Sequence, residues 1–470
     1  MIPTRFLSRA PESASTPSRS RELATFLAFC ALCALLATWA AWPLLTLAEL
    51  PLRDGLDFYG PAFSMLADHL RGGELLLWNP WVGGGRPDAA DPQVGVYSPF
   101  VLAMALITGG GFAGYAVSLV VAWWLVAVGM FLLGRHLRAP DWGSAAAGLA
   151  VLSCGFFVSH IEHFTFVHAM AAVPWITWRL DVALVNRDRL AACQAGALWG
   201  LAGLGGYPGV TICTALWIGL WIIGRWLLGD DAGRRLGARD AAIVLCLAVV
   251  VATVVLAPAY LAFMVEVRDF SGRAEALHRD TAIAQNALPL GGLRSFASPT
   301  VTAIKKKERL RLWPETPHPA MVSVHVGLVV TCLAFLGLVS RRGPPFRFAV
   351  LAIGLLFIAA ALGSATPIRG WLYDLLPPMR FFRYTAFQRG FGLIALAILA
   401  LWGTAALARG SGAARSRRLL TLAAAAHGLG LAAAVAIAQV FEATAHVGRT
   451  LSRELLWTLL PLAVLLGWCL

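Results

Sequence analysis

Long apolar runs separated by short charged turns dominate this chain. Several runs reach the roughly 20 residues needed to cross a hydrocarbon core, and each must then be a helix that satisfies its own backbone hydrogen bonds. Runs near 25–50, 112–133, 142–159, 168–183, 190–206, 208–228, 241–262, 321–340, 347–363, 390–408, 419–440 and 454–470 predict about twelve spans in an all-α polytopic integral membrane protein. Several of these are short. Spans of about 16 residues barely cross a bilayer, so they are expected to be packed inside protein, tilted, or placed where the membrane thins.

Composition agrees with that reading: 59% of the 470 residues are hydrophobic, 13% are charged, and the mean hydropathy is +0.71. Water cannot be the main solvent for such a surface. The first run is too long for a cleaved signal segment and ends at Trp42-Pro43-Leu44 without a small-x-small site, so it reads as a retained first span. Residues 1–24, rich in Ser, Pro and Arg, are expected to be a disordered cytoplasmic tail ahead of one membrane domain over 25–470. All eight cysteines fall within apolar runs and read as core thiols; the CxxC of Cys30 and Cys33 has no second pair and no flanking His.

Charge sets the expected orientation. With the N-terminus cytoplasmic, every short inner turn is basic, carrying Arg135 and Arg138, then Arg179, Arg187 and Arg189, then Arg225, Arg234, Arg235 and Arg239, then Arg341, Arg342 and Arg347, and finally Arg409, Arg415, Arg417 and Arg418. The long outer loops are then 52–97, 264–320 and 364–389, with shorter ones at 159–167, 205–209 and 442–453. About half of the 38 Lys and Arg are left outside, and an anionic ligand at the outer face would account for them. The net charge of +13 does not indicate nucleic acid, because topology explains much of it and no nucleic-acid module is visible.

Candidate chemistry gathers in the outer loops. Asp54 and Asp57 directly follow the first span, where partial burial would raise a carboxylate's proton affinity and suit it to general-base work; a helix cap or a solvated acid is the plainer alternative. Asp88 and Asp91 sit in a Gly- and Pro-rich turn and read as structural. Asp68, His69 and Glu74 fit the polar face of an amphipathic helix over 61–71 and are given no chemistry. SHIEHFTFVH places His160, Glu162, His163 and His168 close together, open to metal ligation, substrate binding or interfacial hydrogen bonding, in a spacing that matches no zinc signature. The run Lys305 to Lys307 with Arg309 and Arg311 reads as a solvated face. Arg369, Arg380, Arg383 and Arg389 alternate with aromatics near the membrane, where an unpaired guanidinium is costly and phosphate is a natural bidentate partner.

The order of six motifs is more specific than any one of them: DFYGPAF, LLLWNPWVGGGRPDAADPQVGVYSPF, HFTFVHAMAAVPW, GLGGYPG, ALGSATPIRGWLYDLLP and MRFFRYTAFQRG. In that order, over roughly 50–400, the chain resembles the YfhO family of bacterial membrane proteins, treated as GT-C-type glycosyltransferases. The resemblance implies a GT-C-like bundle in the cytoplasmic membrane of a bacterium, taking a sugar from a polyprenyl-phosphate donor and passing it, on the outer face, to an envelope glycan, lipid or protein acceptor. It implies no nucleotide or redox cofactor and leaves open a divalent metal. Carried over, the general base falls on Asp57, with Asp54 second, and Arg380 and Arg383 would meet the lipid phosphate. Glu162, His163, His168, Trp78 and Asn79 would contribute to substrate binding, although interfacial tryptophans are more often belt anchors. Family members continue further, so the apolar end at Trp468-Cys469-Leu470 reads as a truncation. A transporter or lipid flippase would place ionisable residues in mid-span, and a non-catalytic assembly protein remains the third reading.

Overall fold

The apolar runs fold as helices because a backbone without water must bond to itself. The computed structural model describes residues 19–229, 236–270, 275–296, 318–341 and 343–409. The first half comprises α1 (Arg19–Ala40), α2 (Trp42–Leu45), α3 (Gly60–Arg71), α4 (Pro99–Thr108), α5 (Gly111–His136), α6 (Asp141–Leu152), α7 (Gly155–Ser159), α8 (Phe164–Ala171), α9 (Val173–Asn186), α10 (Arg189–Leu204) and α11 (Pro208–Leu228). The second half adds α12 (Ala238–Phe270), α13 (Arg279–Ala284), α14 (Leu328–Val339), α15 (Arg347–Ala361), α16 (Ile368–Leu375) and α17 (Arg389–Ala408). Among the described residues the one bridge of strand type joins Asn79 to Arg86.

Six helices among the described residues are long and apolar enough to cross a membrane: Ser20–Ala40, Gly111–His136, Asp141–Ser159, Pro208–Leu228, Ala238–Glu266 and Thr385–Ala408. They make the chain a multi-pass membrane protein; the expected twelve or so spans are not shown among the described residues. The run at 168–183 is divided at Ala172, where Pro174 starts a new helix. Length removes others: the 12 residues of α14 and the 15 of α15 rise only about 18 and 22 Å against a core of about 30 Å. An apolar helix that hydropathy did not single out, α4, follows the first outer loop. The expected spans at 419–440 and 454–470 and the basic run at 305–311 lie outside the described residues, as do residues 1–18. The first helix begins at Arg19, within the stretch expected to be tail.

Helix α17 is buried along almost its whole length and forms the centre of the bundle, whereas α1 and α12 expose most of their apolar surface. Close approach needs small residues. Gly337 of α14 faces the Leu399 carbonyl of α17, and Gly403 of α17 faces that of Leu333, so a Cβ at either position would strike backbone.

Near the C-terminal ends of α5 and α11 the bundle buries a carboxylate, that of Asp181 from α9. Its Oδ1 accepts from Arg225 Nε at 2.6 Å and Trp221 Nε1 at 2.8 Å; its Oδ2 accepts from Arg225 Nη2 at 2.6 Å and His136 Nε2 at 2.8 Å. The Arg225 guanidinium also lies over the Phe346 ring, 4.1 Å from its centre. A charge can remain inside because four donors replace its lost water. Removing one partner breaks that balance. Asp181→Ala is therefore expected to cost about 3–5 kcal/mol, read by denaturant unfolding in detergent, whereas Asp181→Leu combined with Arg225→Met should recover most of the loss. An equal loss in the double variant would contradict the account.

Candidate functional site

Tyr115, near the start of α5, and His136, at its end, are about 30 Å apart along the helix axis, roughly the thickness of a hydrocarbon core. The Asp181 knot marks one end of the bundle. At the other end meet three of the segments that the charge pattern expects to be outer.

The first is the turn after α2. Arg53 takes a left-handed backbone conformation (φ 50), uncommon for a residue with a Cβ, and its carbonyl accepts from Leu56 N and Asp57 N at 2.8 and 2.7 Å. A π-helical turn, Gly55–Tyr59, follows and leads into α3. Buried Tyr59 bonds Thr165 Oγ1 at 2.8 Å, and Tyr115 donates to the carbonyl of Ile161. The first bond ties the first segment to the start of α8, and the second ties the second segment to α5. Phe63 and Phe164 pack edge-to-face beneath them, with ring centres 5.5 Å apart.

The second segment lies between α7 and α8 and carries Glu162 and His163. His163 Nε2 is 3.7 Å from Asp54 Oδ2, and His163 Nδ1 is 4.0 Å from Glu162 Oε1. The third segment brings His318, whose Nε2 lies 3.2 Å from Glu162 Oε1. The Arg53 guanidinium contacts His318 Nε2 and lies 4.0 Å from Glu162 Oε1. Burial raises the Glu162 carboxyl and pushes His163 down to about 4, holding its imidazole neutral at physiological pH. His160, buried beside them, is also held neutral by burial; its Nδ1 donates to the Phe156 carbonyl at 2.8 Å.

Arg389 fixes the third segment. Fully buried at the start of α17, it donates to the carbonyls of Ser323 (2.8 Å), Ala386 (2.9 Å) and Ala320 and to Ser159 Oγ (3.1 Å). Ser159 Oγ in turn donates to the Ala320 carbonyl at 2.8 Å, and Gly155 N to that of His325 at 2.7 Å. Phosphate contact is expected of Arg380 or Arg383; for Arg389, backbone carbonyls match the guanidinium. Arg369, equally buried, donates to the carbonyls of Ala282, Met379 and Phe382 at 3.2, 3.0 and 2.7 Å. Arg380 is drawn to the end of α16, with Nε on the Tyr373 carbonyl at 3.1 Å and Nη2 on that of Asp374 at 3.2 Å.

The remaining residues singled out from the sequence are distributed as follows. Asp54 reaches His163, and its side chain is 56% exposed. Asp57, in the π-helical turn, is exposed too. Arg383 is exposed beside Tyr384, which is 6.5 Å from His163 between ring centres; Arg383 Nη2 donates to the Tyr384 hydroxyl at 3.5 Å. His168 is sandwiched between Phe100 and Phe164, with centres 4.7 and 5.5 Å away. Asn79 is buried in the first loop, donating to Asp88 Oδ2 at 2.8 Å, while Arg86 pairs with the other Asp88 oxygen at 2.6 Å. Trp78 is largely exposed and lies over Gly85. Arg53, His318 and Tyr384 were not singled out from the sequence. The signal for His318 was a histidine between two prolines at the end of the long loop, just before an apolar run.

No protein-family profile and no curated protein matches the chain. Among solved structures, that of ArnT from Cupriavidus metallidurans bound to undecaprenyl phosphate is similar over 96% of this chain and 72% of its own, at 15% identity and a TM-score of 0.47. Identity that low assigns no residue a role. The expected membership of the YfhO family is not confirmed by these comparisons.

If Arg389 holds the third segment in place, Arg389→Met leaves buried carbonyls without donors, at about 1–3 kcal/mol each. Amide exchange over 320–325 should then accelerate at least about tenfold, while exchange in α5 and α6 stays unchanged. Unaltered exchange at 320–325 would show that other contacts hold the segment.

Proposed function

We propose that the chain is a membrane glycosyltransferase that moves a sugar from a polyprenyl-phosphate donor to a hydroxyl acceptor at the outer face of the membrane. The observation that carries this reading is the meeting of Asp54, Glu162, His163 and His318, from three outer segments, at one end of an apolar bundle. A lipid-borne donor reaches such a place sideways from the bilayer, and a polar acceptor reaches it from water. The motif order shared with the YfhO family supports the same reaction class.

In this mechanism Asp54 is the general base. Exposed and 3.7 Å from His163, it is open to an acceptor hydroxyl, whereas Glu162 is held between two imidazoles. The Asp54 carboxylate takes the hydroxyl proton as that oxygen bonds the anomeric carbon; the bond from that carbon to the phosphate oxygen breaks, and its electron pair leaves with the lipid phosphate. Arg383, exposed and not committed to backbone carbonyls as Arg380 is, meets the growing negative charge. The buried charges of the Asp181 knot do not favour transport, since donors already surround that carboxylate.

The test is turnover of radiolabelled polyprenyl-phosphate hexoses by the chain reconstituted in lipid vesicles. Asp54→Asn should lower release of sugar from lipid at least about 100-fold, the lower end of what a general base contributes, and Asp57→Asn should lower it less. The reverse order would return the base to Asp57, and equal turnover in both variants and the wild type would remove both. Absence of turnover with every donor would overturn the transferase reading.

A further inference from the structure

The mouth of the outer cluster is acidic where a lipid phosphate would have to approach. Two carboxylates, Asp54 and Glu162, lie beside the His163 imidazole, with one guanidinium, that of Arg53, 4.0 Å from Glu162 Oε1. Arg380 is engaged with backbone carbonyls, and Arg369 and Arg389 are buried. Among the described residues, Arg383 is the exposed arginine left beside the cluster to meet an anion.

The same side chains form a metal-ligating set. Glu162 Oε1 lies 3.2 Å from His318 Nε2 and 4.0 Å from His163 Nδ1, and the three ligand atoms all fall within 4.8 Å of one another. A tetrahedral ion with bonds of about 2.0–2.1 Å sets its ligand atoms roughly 3.4 Å apart, so small side-chain shifts close the site. His163 is 3% exposed, and its Nδ1, on the Glu162 side of the ring, is buried without a hydrogen-bond partner. An orphaned imidazole nitrogen next to a carboxylate is a costly arrangement that a cation would relieve. The two segments are held in advance, one by Tyr59 and Tyr115 and the other by Arg389 and Ser159.

We propose that Glu162, His163 and His318 bind one divalent transition-metal ion, with Zn2+ the best match to two imidazoles and a carboxylate, leaving a coordination position open toward Asp54 and water. Arg53, whose half-exposed guanidinium rests against His318 and near Glu162, occupies the ion's side of the site and swings out to water when the ion enters. Ligation through His318 Nε2 replaces the long 3.3 Å bond that His318 Nδ1 accepts from Ala320 N. On the glycosyltransferase reading, on which this role rests, the ion turns an acidic mouth into one that accepts a lipid phosphate.

Binding is measured apart from turnover, on the full chain in detergent, stripped with a chelator and titrated with Zn2+ by calorimetry and with Co2+ by visible absorption. One ion per chain is expected, with affinity lowered at least tenfold by Glu162→Gln and by His318→Ala. Arg53→Ala should bind as tightly as the wild type or more tightly, because a competing cation is gone. His278→Ala, at an exposed histidine on another part of the outer surface, serves as the control and should change nothing. If His318→Ala does not fold, Glu162→Gln and His163→Asn carry the same test, with the metal-induced rise in Tm as the second readout. No bound ion, or an affinity that none of the ligand substitutions changes, would overturn the proposal. Ion binding without donor turnover would sustain the site and remove the transferase reading; turnover indifferent to chelator, with no ion bound, would do the reverse.

Discussion

The Arg389 guanidinium is the contact on which the end of this bundle that carries the candidate site depends. It sits fully buried at the start of the most enclosed helix and reaches the carbonyls of Ser323, Ala386 and Ala320 and the hydroxyl of Ser159. Burial of such a charge is tolerable when its donors are matched by oxygens, and matching them fixes several segments at once. The loop bearing His318 is thereby placed against the turn bearing Glu162 and His163. At the far end Asp181 plays the mirrored part, a buried anion drawing α5, α9 and α11 together through His136, Arg225 and Trp221. Between the two ends the bundle is held mainly by apolar packing and by glycines such as Gly337 and Gly403.

Much of this was legible in the sequence because the hydrophobic pattern is strong. The helix expected over 61–71 spans Gly60–Arg71, and the runs at 112–133, 208–228 and 390–408 became α5, α11 and α17 with ends shifted by a few residues. What hydropathy could not report was whether an apolar run is one helix or two, as at Ala172, or whether a short apolar helix crosses a bilayer at all. Both depend on backbone breaks and on partners rather than on composition.

The site was legible in its parts but not in its assembly. SHIEHFTFVH announced a cluster, yet its residues divide by geometry. Glu162 and His163 turn to the outer segments. His168, five positions further, is rotated by about 140° on a helix and is taken up between phenylalanine rings. His318 joins them from far along the chain, a relation no local spacing encodes. The arginines show the same division: four alike in sequence become two buried staples, one cap for the end of α16, and Arg383 at the surface. Only the number of backbone oxygens within reach separates them.

The account stands or falls on whether the converging segments act as a single site. A double-mutant cycle on donor turnover, with Asp54→Asn, His318→Gln and the pair together in reconstituted vesicles, tests that directly. Residues that serve one reaction centre lose far less together than the product of their separate losses, and the pair should be nearly as active as the poorer single variant. Losses that multiply would mean that Asp54 and His318 act independently, and would contradict the claim that three outer segments build one site.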